Sequence, residues 1–240
     1  TPADDEVLVK VEYVGICGSD IYYYEDGRIG NYIVKPPFVL GHECGGTVAA
    51  VGGKVKSLKV GDRVCLEPGK TCGHCEFCRE GKYNLCPDVE FFATPPIDGV
   101  FSEYCTHPAD LCFKLPENMS TLEGALIEPL SIGFRAANQG GAHIGQTAVV
   151  FGAGCIGLMS MMALKAEGVN KIYVVDIMDK RLAKAKELGA TEVINSKKCD
   201  LVKRIAELTN DRGVNLSIET AGTEITTRQA IEIARKGSTI

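Results

Sequence analysis

Residues 147–157 read TAVVFGAGCIG, an apolar run of strand length that passes directly into a glycine-rich turn. A helical pattern follows the turn, and the next apolar run ends on an acidic residue, Asp176. A lone G-x-G-x-x-G match says little, but a match placed between a strand and a helix, with an acid at the end of the following strand, is typical of a dinucleotide site. The stretch therefore predicts a βαβ unit that binds a dinucleotide.

Each glycine of the turn has its own expected task. Gly152 permits the tight turn, Gly154 lets the backbone approach a pyrophosphate, and Gly157 lets the helix pack closely on the strand. Asp176 is expected to accept hydrogen bonds from a ribose and to repel a 2′-phosphate, which favours NAD over NADP. An alternative is that the glycines only form a tight turn and that Asp176 caps the next helix. We predict the following cofactor-binding residues: Gly152, Gly154, Ile156, Gly157, Asp176 and Arg181.

Strand and helix patterns alternate from this turn to the end of the chain. The strands are predicted at Thr147–Phe151, Lys171–Asp176, Glu192–Ile194 and Val214–Glu219. The helices are predicted at Ile156–Glu167, Lys180–Leu188, Asp200–Leu208 and Thr226–Ala234. Alternation of this kind predicts an α/β domain with a parallel sheet covered on both faces, here a Rossmann domain over residues 141–240. A fifth strand is expected to start only at Ser238, so this domain is predicted to be incomplete at the C-terminus.

The preceding residues follow a different pattern, which predicts a β-rich first domain over residues 1–140. Its strands are expected at Val7–Val14, Gly46–Val51, Arg63–Leu66, Gly99–Tyr104 and Leu111–Leu115. A helix-rich stretch, Thr121–Gln139, is predicted to connect it to the second domain. Between Thr71 and Pro87 the apolar pattern lapses and cysteines cluster, which predicts a lobe, at about residues 66–90, held by something other than a hydrophobic core.

The composition limits the class of protein. The chain has 240 residues, 45% of them hydrophobic, with a formal net charge of −5. This apolar content excludes intrinsic disorder, and the negative charge argues against a nucleic acid or an anionic membrane as the main partner. An odd count of 11 cysteines without a secretory signal favours metal ligands and reduced thiols in a reducing compartment, so a cytoplasmic location is expected.

Four cysteines, Cys72, Cys75, Cys78 and Cys86, have the spacing of one metal site. Four thiolates this close in sequence can surround a tetrahedral ion, and zinc prefers such a closed shell where its role is structural. An iron–sulfur cluster is the competing interpretation, because Cys86 is followed by Pro87 as in ferredoxins, but the last interval is too long for that pattern. A disulfide pair is a third alternative.

A second, dispersed group could hold a catalytic zinc. It consists of Cys17 in GICGSD, His42 and Glu43 in GHE, and Glu128 in IEP. One thiolate, one imidazole and one carboxylate, with a position left for water or substrate, form a plausible catalytic site. Taken singly, a buried thiol, a histidine at a strand edge and an acid at a helix N-terminus are the more ordinary interpretations.

The order of these motifs resembles that of the zinc-dependent medium-chain dehydrogenases over nearly the whole chain. The motifs that carry the resemblance are Cys17-Gly18-Ser19-Asp20, Gly41-His42-Glu43, Gly61-Asp62-Arg63-Val64, the cysteine lobe and the Gly152–Gly157 turn. The stretches GRIGN at 27–31, FFATPP at 91–96 and EPLS at 128–131 are most similar to the sorbitol and other polyol dehydrogenases. The resemblance implies a GroES-like catalytic domain followed by a Rossmann domain.

The resemblance also implies residue roles. Cys17 and His42 would be zinc ligands. Glu43 and Glu128 would supply the carboxylates of the site, one bound to zinc directly and the other through water or substrate. Tyr23 matches a residue near the substrate, and Ser19, water or Tyr22 would carry the proton because relatives often have histidine at the position of Tyr22. The implied activity is hydride transfer between a polyol and NAD, giving a ketose, by a homo-oligomer, commonly a tetramer. A dehydrogenase of another secondary alcohol, diol or amino alcohol, and a non-catalytic protein that binds NAD or senses redox state or zinc, are the alternatives.

Overall fold

The structure is a computed structural model that describes residues 1–240, and it divides the chain into two units, Thr1–Glu128 and Pro129–Ile240. The division falls near the start of helix Ile127–Gln139, whereas the sequence places the domain boundary after it. Packing within the second unit explains this position. A Cβ on Gly133 would lie 2.6 Å from the carbonyl carbon of Met159, so this helix approaches a later helix closely at Gly133, and its Ala137 joins the apolar core of the second unit.

The first unit is built on a five-stranded antiparallel sheet. Its strands, in chain order, are β1 (Glu6–Gly15), β2 (Arg28–Ile29), β3 (Tyr32–Ile33), β4 (Glu43–Val51), β5 (Arg63–Leu66), β6 (Gly69–Lys70), β7 (Glu90–Phe91), β8 (Tyr104–Pro108) and β9 (Cys112–Lys114). The large sheet has the order β8-β1-β4-β5-β9, and β2 with β3 and β6 with β7 form two small ribbons. Its helices are α1 (Gly18–Asp26), α2 (Glu76–Arg79) and α3 (Thr121–Ala125), and 3₁₀ turns occupy Tyr83–Leu85 and Ala109–Leu111.

The core of this unit lies inside the curved sheet. Alternate residues of β1, Val7 and Val9, supply it together with Val48 of β4, and all three are almost fully buried. Period-2 alternation of this kind is what a half-buried antiparallel strand requires. The β-rich first domain predicted from the sequence is therefore confirmed as a fold class.

One predicted strand of this unit is wrong. Residues 99–103 are not a strand, and β8 begins only at Tyr104. The segment instead packs its backbone on residues 39–41: the Gly99 amide donates to the Val39 carbonyl at 2.7 Å and the Val100 amide to the Gly41 carbonyl at 2.8 Å. A Cβ on Gly99 would overlap the carbonyl groups of Leu40 and Gly41, so this glycine marks a close backbone approach rather than a strand position.

The second unit is a parallel sheet with helices on both faces. Its strands are β10 (Thr147–Phe151), β11 (Lys171–Asp176), β12 (Glu192–Asn195), β13 (Val214–Glu219) and β14 (Ala234–Thr239), in the order β12-β11-β10-β13-β14. Its helices are α4 (Ile127–Gln139, which begins in the first unit), α5 (Cys155–Ala166), α6 (Asp179–Glu187), α7 (Leu201–Thr209) and α8 (Glu224–Glu232). Strand β10 is buried on both faces: Ala148 and Val150 pack in one apolar cluster, Val149 and Phe151 in the other. This confirms the predicted Rossmann-like fold.

The last strand corrects the sequence prediction. The fifth strand does not start at Ser238 but is a full strand, β14, which pairs in parallel with β13. The sequence predicts that Ala234 ends a helix, and residues 234–237, Ala-Arg-Lys-Gly, have weak strand propensity, yet α8 ends at Glu232 and β14 begins at Ala234. Pairing with β13 overrides local propensity here, with an irregular register and Gly237 at φ +77°.

Candidate functional site

The segment Gly41-His42-Glu43 is shaped by its glycine. Gly41 has φ +89°, and a Cβ there would lie 2.5 Å from the ring of Phe101. The backbone can therefore turn against residues 99–101 and enter β4 at Glu43. As a result, the side chains of His42 and Glu43 are buried, with 7% and 6% of their surfaces exposed.

Cys17 meets these two residues from another part of the chain. It caps α1 after β1 ends at Gly15, and β1 pairs Gly15 with Glu43. A Cβ on Gly15 would overlap the Glu43 carboxylate, so the glycine leaves room for it. One ligand atom each of Cys17, His42 and Glu43 lie within 4.8 Å of one another.

Asp20 fixes this group, and the sequence analysis assigned it no role. Its Oδ2 accepts a hydrogen bond from the Cys17 amide and its Oδ1 one from the Gly41 amide, both at 2.9 Å. Its Oδ1 also lies 4.0 Å from Nδ1 of His42, and only 3% of the residue is exposed. One buried carboxylate thus holds both ligand-bearing segments, as second-sphere carboxylates do around metal-binding histidines. The signal in the sequence was an acid three residues after Cys17.

The electrostatics of the group suit a cation. The pKa of the Cys17 thiol is lowered, mainly by its hydrogen bond with His42. Burial acts to lower the pKa of His42, but the Cys17 sulfur and the carboxylates of Asp20 and Glu128 outweigh it and raise the pKa. Burial raises the pKa of both Glu43 and Glu128. Thiolate, imidazole and carboxylate are all zinc ligands, and three of them leave a fourth position free, so the residues fit a catalytic zinc.

Glu128 is placed near this group without belonging to it. It is half-buried in the first turn of α4, and its charge acts on His42, while the Glu43 carboxylate raises its pKa further. It is not among the three residues whose ligand atoms lie within 4.8 Å. The structure thus brings together three of the four predicted ligands. The fourth, Glu128, lies outside this group but close enough for its charge to act on His42.

The remaining predicted residues lie on α1. Ser19 lies close enough to Cys17 to help lower the pKa of the Cys17 thiol, which places it near the ligand group. Tyr23 is buried, its ring centroid lies 6.5 Å from that of Phe38, and burial raises the pKa of its hydroxyl, with a smaller opposing effect from the nearby Thr94 side chain. The Tyr22 side chain, in contrast, is 61% exposed. Sequence reasoning also gave no role to Phe91, whose ring centroid lies 5.7 Å from that of His42.

The cysteine lobe brings its four sulfur atoms together. The Sγ atoms of Cys72, Cys75, Cys78 and Cys86 lie within 4.8 Å of one another, and those of Cys72 and Cys78 are 4.0 Å apart. A tetrahedral shell with Zn–S bonds of about 2.3 Å puts sulfur atoms about 3.8 Å apart, so the lobe fits zinc. Backbone N–H groups of His74 and Cys75 lower the pKa of Cys72 to about 6, which favours the thiolate. All 11 cysteines are free thiols.

The glycine turn of the second unit has the geometry expected of a phosphate-binding turn. Gly152 has φ +93°, and a Cβ on Gly157 would overlap the Gly152 carbonyl oxygen, so α5 can begin only where residue 157 is glycine. Gly154 caps α5, and a Cβ built on it meets nothing within 4 Å. The N-terminus of α5 is therefore open to a ligand, with Ile156 half-buried in its first turn.

Asp176 joins the end of β11 to this turn. Its Oδ2 accepts a hydrogen bond from the Ala153 amide at 2.7 Å, and its Oδ1 accepts bonds from the amides of Ile177 and Met178. Nη1 of Arg181 lies 4.0 Å from Asp176 Oδ2. The acid predicted to contact a ribose is thus held at the turn by three backbone groups.

Comparisons with known proteins agree with both units. The model of the alcohol dehydrogenase GroES-like domain matches residues 3–117, and that of the zinc-binding dehydrogenase domain matches residues 155–240. A sorbitol dehydrogenase of Bacillus subtilis (strain 168) is 52% identical over 97% of this chain and 66% of its own length. A probable D-xylulose reductase A of Aspergillus clavatus is 45% identical over 98% of this chain and 66% of its own.

A solved structure shows the same fold. The crystal structure of an Escherichia coli oxidoreductase of unknown specificity superposes with a TM-score of 0.94 at 48% identity, covering 99% of this chain and 69% of that one. The chain thus spans about two thirds of the length of these relatives. None of the helices in the structure has both the length and the apolar character that a membrane span needs.

Proposed function

Because this chain belongs to the zinc-dependent medium-chain alcohol dehydrogenases, we propose that it oxidises a polyol of the sorbitol or xylitol type to a ketose with NAD⁺. The observation that carries the proposal is the group formed by Cys17, His42 and Glu43, which offers three zinc ligands within 4.8 Å of one another. The printed names of the similar proteins, a sorbitol dehydrogenase and a xylulose reductase, support a polyol as the substrate class.

We assign the direct carboxylate ligand to Glu43 and place Glu128 beside the fourth position. Glu43 lies within the ligand group and Glu128 outside it, close enough for the Glu43 charge to raise the pKa of Glu128. Glu128 would then hold a water molecule or a substrate hydroxyl by hydrogen bonding. Bound zinc supplies Lewis acidity toward the substrate hydroxyl, and bound NAD⁺ accepts the hydride.

The residues of α1 would orient the substrate and move its proton. We propose Ser19 as the proton relay: its hydroxyl would accept the proton of the substrate hydroxyl and pass its own proton to water, and its side chain is close enough to Cys17 to lower the pKa of that thiol. Tyr22 is less suited to this role, since most of its side chain faces solvent. Tyr23 and Phe91 would shape the cavity for a chain of carbinol groups, Tyr23 through its hydroxyl and Phe91 as an apolar wall beside His42.

We propose that the second zinc is structural and is bound by Cys72, Cys75, Cys78 and Cys86. The lobe has almost no apolar core: Cys86 is its only buried residue between residues 71 and 87. A closed four-thiolate site would therefore supply the stability that packing does not.

NAD is the cofactor that the second unit favours. Gly152, Gly154, Ile156 and Gly157 would form the pyrophosphate site at the N-terminus of α5, where free N–H groups and the helix dipole attract phosphate. The Asp176 carboxylate would bind the ribose hydroxyls and repel a 2′-phosphate. Arg181, whose side chain is 54% exposed and 4.0 Å from Asp176, would contact the adenosine end.

A substrate panel with and without chelation tests the proposal. NAD⁺ reduction is followed at the nicotinamide absorbance with sorbitol, xylitol, arabinitol and butanediol, before and after removal of zinc. We expect turnover with at least one pentitol or hexitol, and loss of that turnover on chelation with recovery when zinc is added back. Turnover with butanediol alone would assign a simpler diol, and NAD⁺ binding without turnover of any alcohol would contradict the enzyme.

We also propose a homotetramer in the cytoplasm. The similarity to the family supports the assembly. The 11 cysteines, none of which forms a disulfide bond, support a reducing compartment. Sedimentation equilibrium of the zinc-loaded protein tests the first, and fractionation of the producing cell tests the second.

A further inference from the structure

Helix α3 lies directly before Glu128 in the chain and is pressed against β4, the strand that begins with Glu43. Gly45 makes this contact possible. A Cβ on Gly45 would overlap the carbonyl oxygen of Thr121 and lie 2.8 Å from the amide nitrogen of Ala125. Gly45 and Glu43 belong to the same strand, and α4 begins two residues after α3 ends. The position of α3 on β4 therefore determines how far the start of α4 lies from Glu43.

Glu12 ties α3 in this place. It lies in β1 where the pairing with β4 shifts register between Val11 and Tyr13, an irregularity of the kind that re-aims side chains. Its Oε2 accepts a hydrogen bond from the Thr121 hydroxyl at 2.6 Å, and its Oε1 accepts one from the Thr47 hydroxyl at 2.9 Å. These bonds, that of Thr121 foremost, lower the pKa of Glu12, so the acceptor is a carboxylate at neutral pH.

Two further contacts hold α3 in this position. The Arg63 guanidinium donates to the carbonyls of Met119 at 2.6 Å and Glu117 at 2.8 Å, which fixes the segment that leads into α3. On α3 itself, a Cβ on Gly124 would lie 2.6 Å from Leu115 Cδ1, so the helix is also in close contact with the residue after β9. Thr121, Gly124 and Ala125 form the buried face of α3 at the spacing i, i+3, i+4.

We infer that Glu12 and Thr121 are positioning residues for Glu128: their hydrogen bond seats α3 on β4 and so holds the Glu128 carboxylate at its place beside Cys17, His42 and Glu43. This inference rests on the proposed function, in which Glu128 serves the fourth position of the zinc site. Neither Glu12 nor Thr121 belongs to the ligand group. Thr121 acts on the site through α3, whereas Glu12 also contacts β4 through Thr47, which is why Thr121 is the residue chosen for the test.

A double-mutant cycle tests the inference. Thr121→Val removes the hydroxyl at nearly constant volume, and it is made alone and together with Glu128→Gln. Two quantities are measured on the zinc-loaded protein. The first is kcat/KM for a polyol. The second is the zinc affinity of the site at Cys17, His42 and Glu43, measured by competition with a chelator; this site is identified as the one whose zinc is lost in Cys17→Ser. We expect Thr121→Val to lower kcat/KM and the zinc affinity on the order of tenfold each, because loss of a contact that supports a metal ligand usually has an effect of this size. In the Glu128→Gln background we expect Thr121→Val to have little further effect on either quantity.

Three further variants complete the experiment. Thr121→Ser keeps the hydroxyl and should restore both quantities. Thr106→Val makes the same change at an exposed position of β8 whose hydroxyl has no hydrogen-bond partner, and it should change neither. Glu12→Gln, which removes the charge of the acceptor, serves as the second probe if Thr121→Val does not fold.

The inference and the proposed function fail in different ways. A protein that turns over no alcohol overturns the proposed function, while the zinc-affinity cycle still measures the link between Thr121 and Glu128. Equal losses from Thr121→Val in both backgrounds would overturn the inference. So would a lower unfolding midpoint with zinc affinity unchanged, because Thr121 would then be only a structural residue.

Discussion

At the scale of single residues, the two units depend on glycines whose missing side chains make room for chemistry. Gly15 leaves space for the Glu43 carboxylate, and Gly41 allows the turn that buries His42. In the second unit Gly157 and Gly154 lie three residues apart but differ in function. A Cβ on Gly157 would overlap a backbone oxygen, whereas a Cβ on Gly154 would point into open space.

Alanine at these two positions should separate stability from cofactor binding. Gly157→Ala should lower the free energy of unfolding by about 1–3 kcal/mol, the usual range for overpacking a rigid site. Gly154→Ala should leave the unfolding midpoint nearly unchanged and weaken NADH binding, because its methyl group would stand where the pyrophosphate approaches. Chemical denaturation and NADH fluorescence titration measure the two effects. If Gly154→Ala bound NADH as tightly as the unaltered protein, the assignment of the turn would be contradicted.

Asp20 shows what residue-level pattern reasoning could not supply. The sequence placed Cys17, His42 and Glu43 as candidate ligands from the types and order of their residues. The buried carboxylate that holds Cys17 and Gly41 together is visible only when residues 20 and 41 are brought into contact by the fold. The acid three residues after Cys17 is a signal in the sequence, but the same position is that of an ordinary capping acid, and Asp20 does accept a hydrogen bond from the N-cap amide of Cys17.

At the scale of elements, the parallel sheet was largely predictable because its strands are buried and bounded by turn residues. Strands β10, β11 and β13 have the predicted bounds. The errors arose at Gly99–Tyr104 and at β14, where tertiary contacts override local preference. One element shows how such contacts tie strands to the lobe: His107 of β8 is buried, and its Nε2 bonds to the Glu67 carbonyl between β5 and β6 at 2.8 Å.

His107 should give the first unit a pH-dependent stability. Burial lowers the pKa of His107 below its usual value of about 6.5, with smaller opposing effects from the Glu67 carbonyl and from Glu6. As the pH falls, the unfolded chain therefore takes up the proton first. The stabilisation is fully present above about pH 6.5 and is lost as the pH falls through the folded-state pKa.

The variant His107→Phe, which keeps an aromatic ring against Phe92, provides the comparison. The free energy of unfolding should fall more steeply for the unaltered protein than for the variant between about pH 7 and pH 5. Urea denaturation at several pH values measures the difference. Parallel pH profiles for the two proteins would show that His107 does not titrate differently in the folded and unfolded states.

At the scale of the whole molecule, the residues expected to bind metal and those expected to bind the dinucleotide lie in separate units. The first unit carries both groups of metal ligands, and the second carries the dinucleotide turn. The sequence predicted this organisation because metal ligands and glycine turns are local patterns. It could not rank Glu43 against Glu128 as the direct ligand, because the distances of the two carboxylates from Cys17 and His42 are set by the tertiary structure, in which only Glu43 lies within 4.8 Å of both.

The zinc content of the protein tests the central claim most directly. Zinc is counted per chain by elemental analysis for the unaltered protein and for Cys17→Ser, with Cys199→Ser as the control at an exposed cysteine outside both ligand groups. We predict two zinc atoms per chain for the unaltered protein and for the control, and one for Cys17→Ser, because the four-cysteine lobe keeps its own ion. One zinc atom in all three proteins, or two in Cys17→Ser, would contradict a zinc site at Cys17, His42 and Glu43.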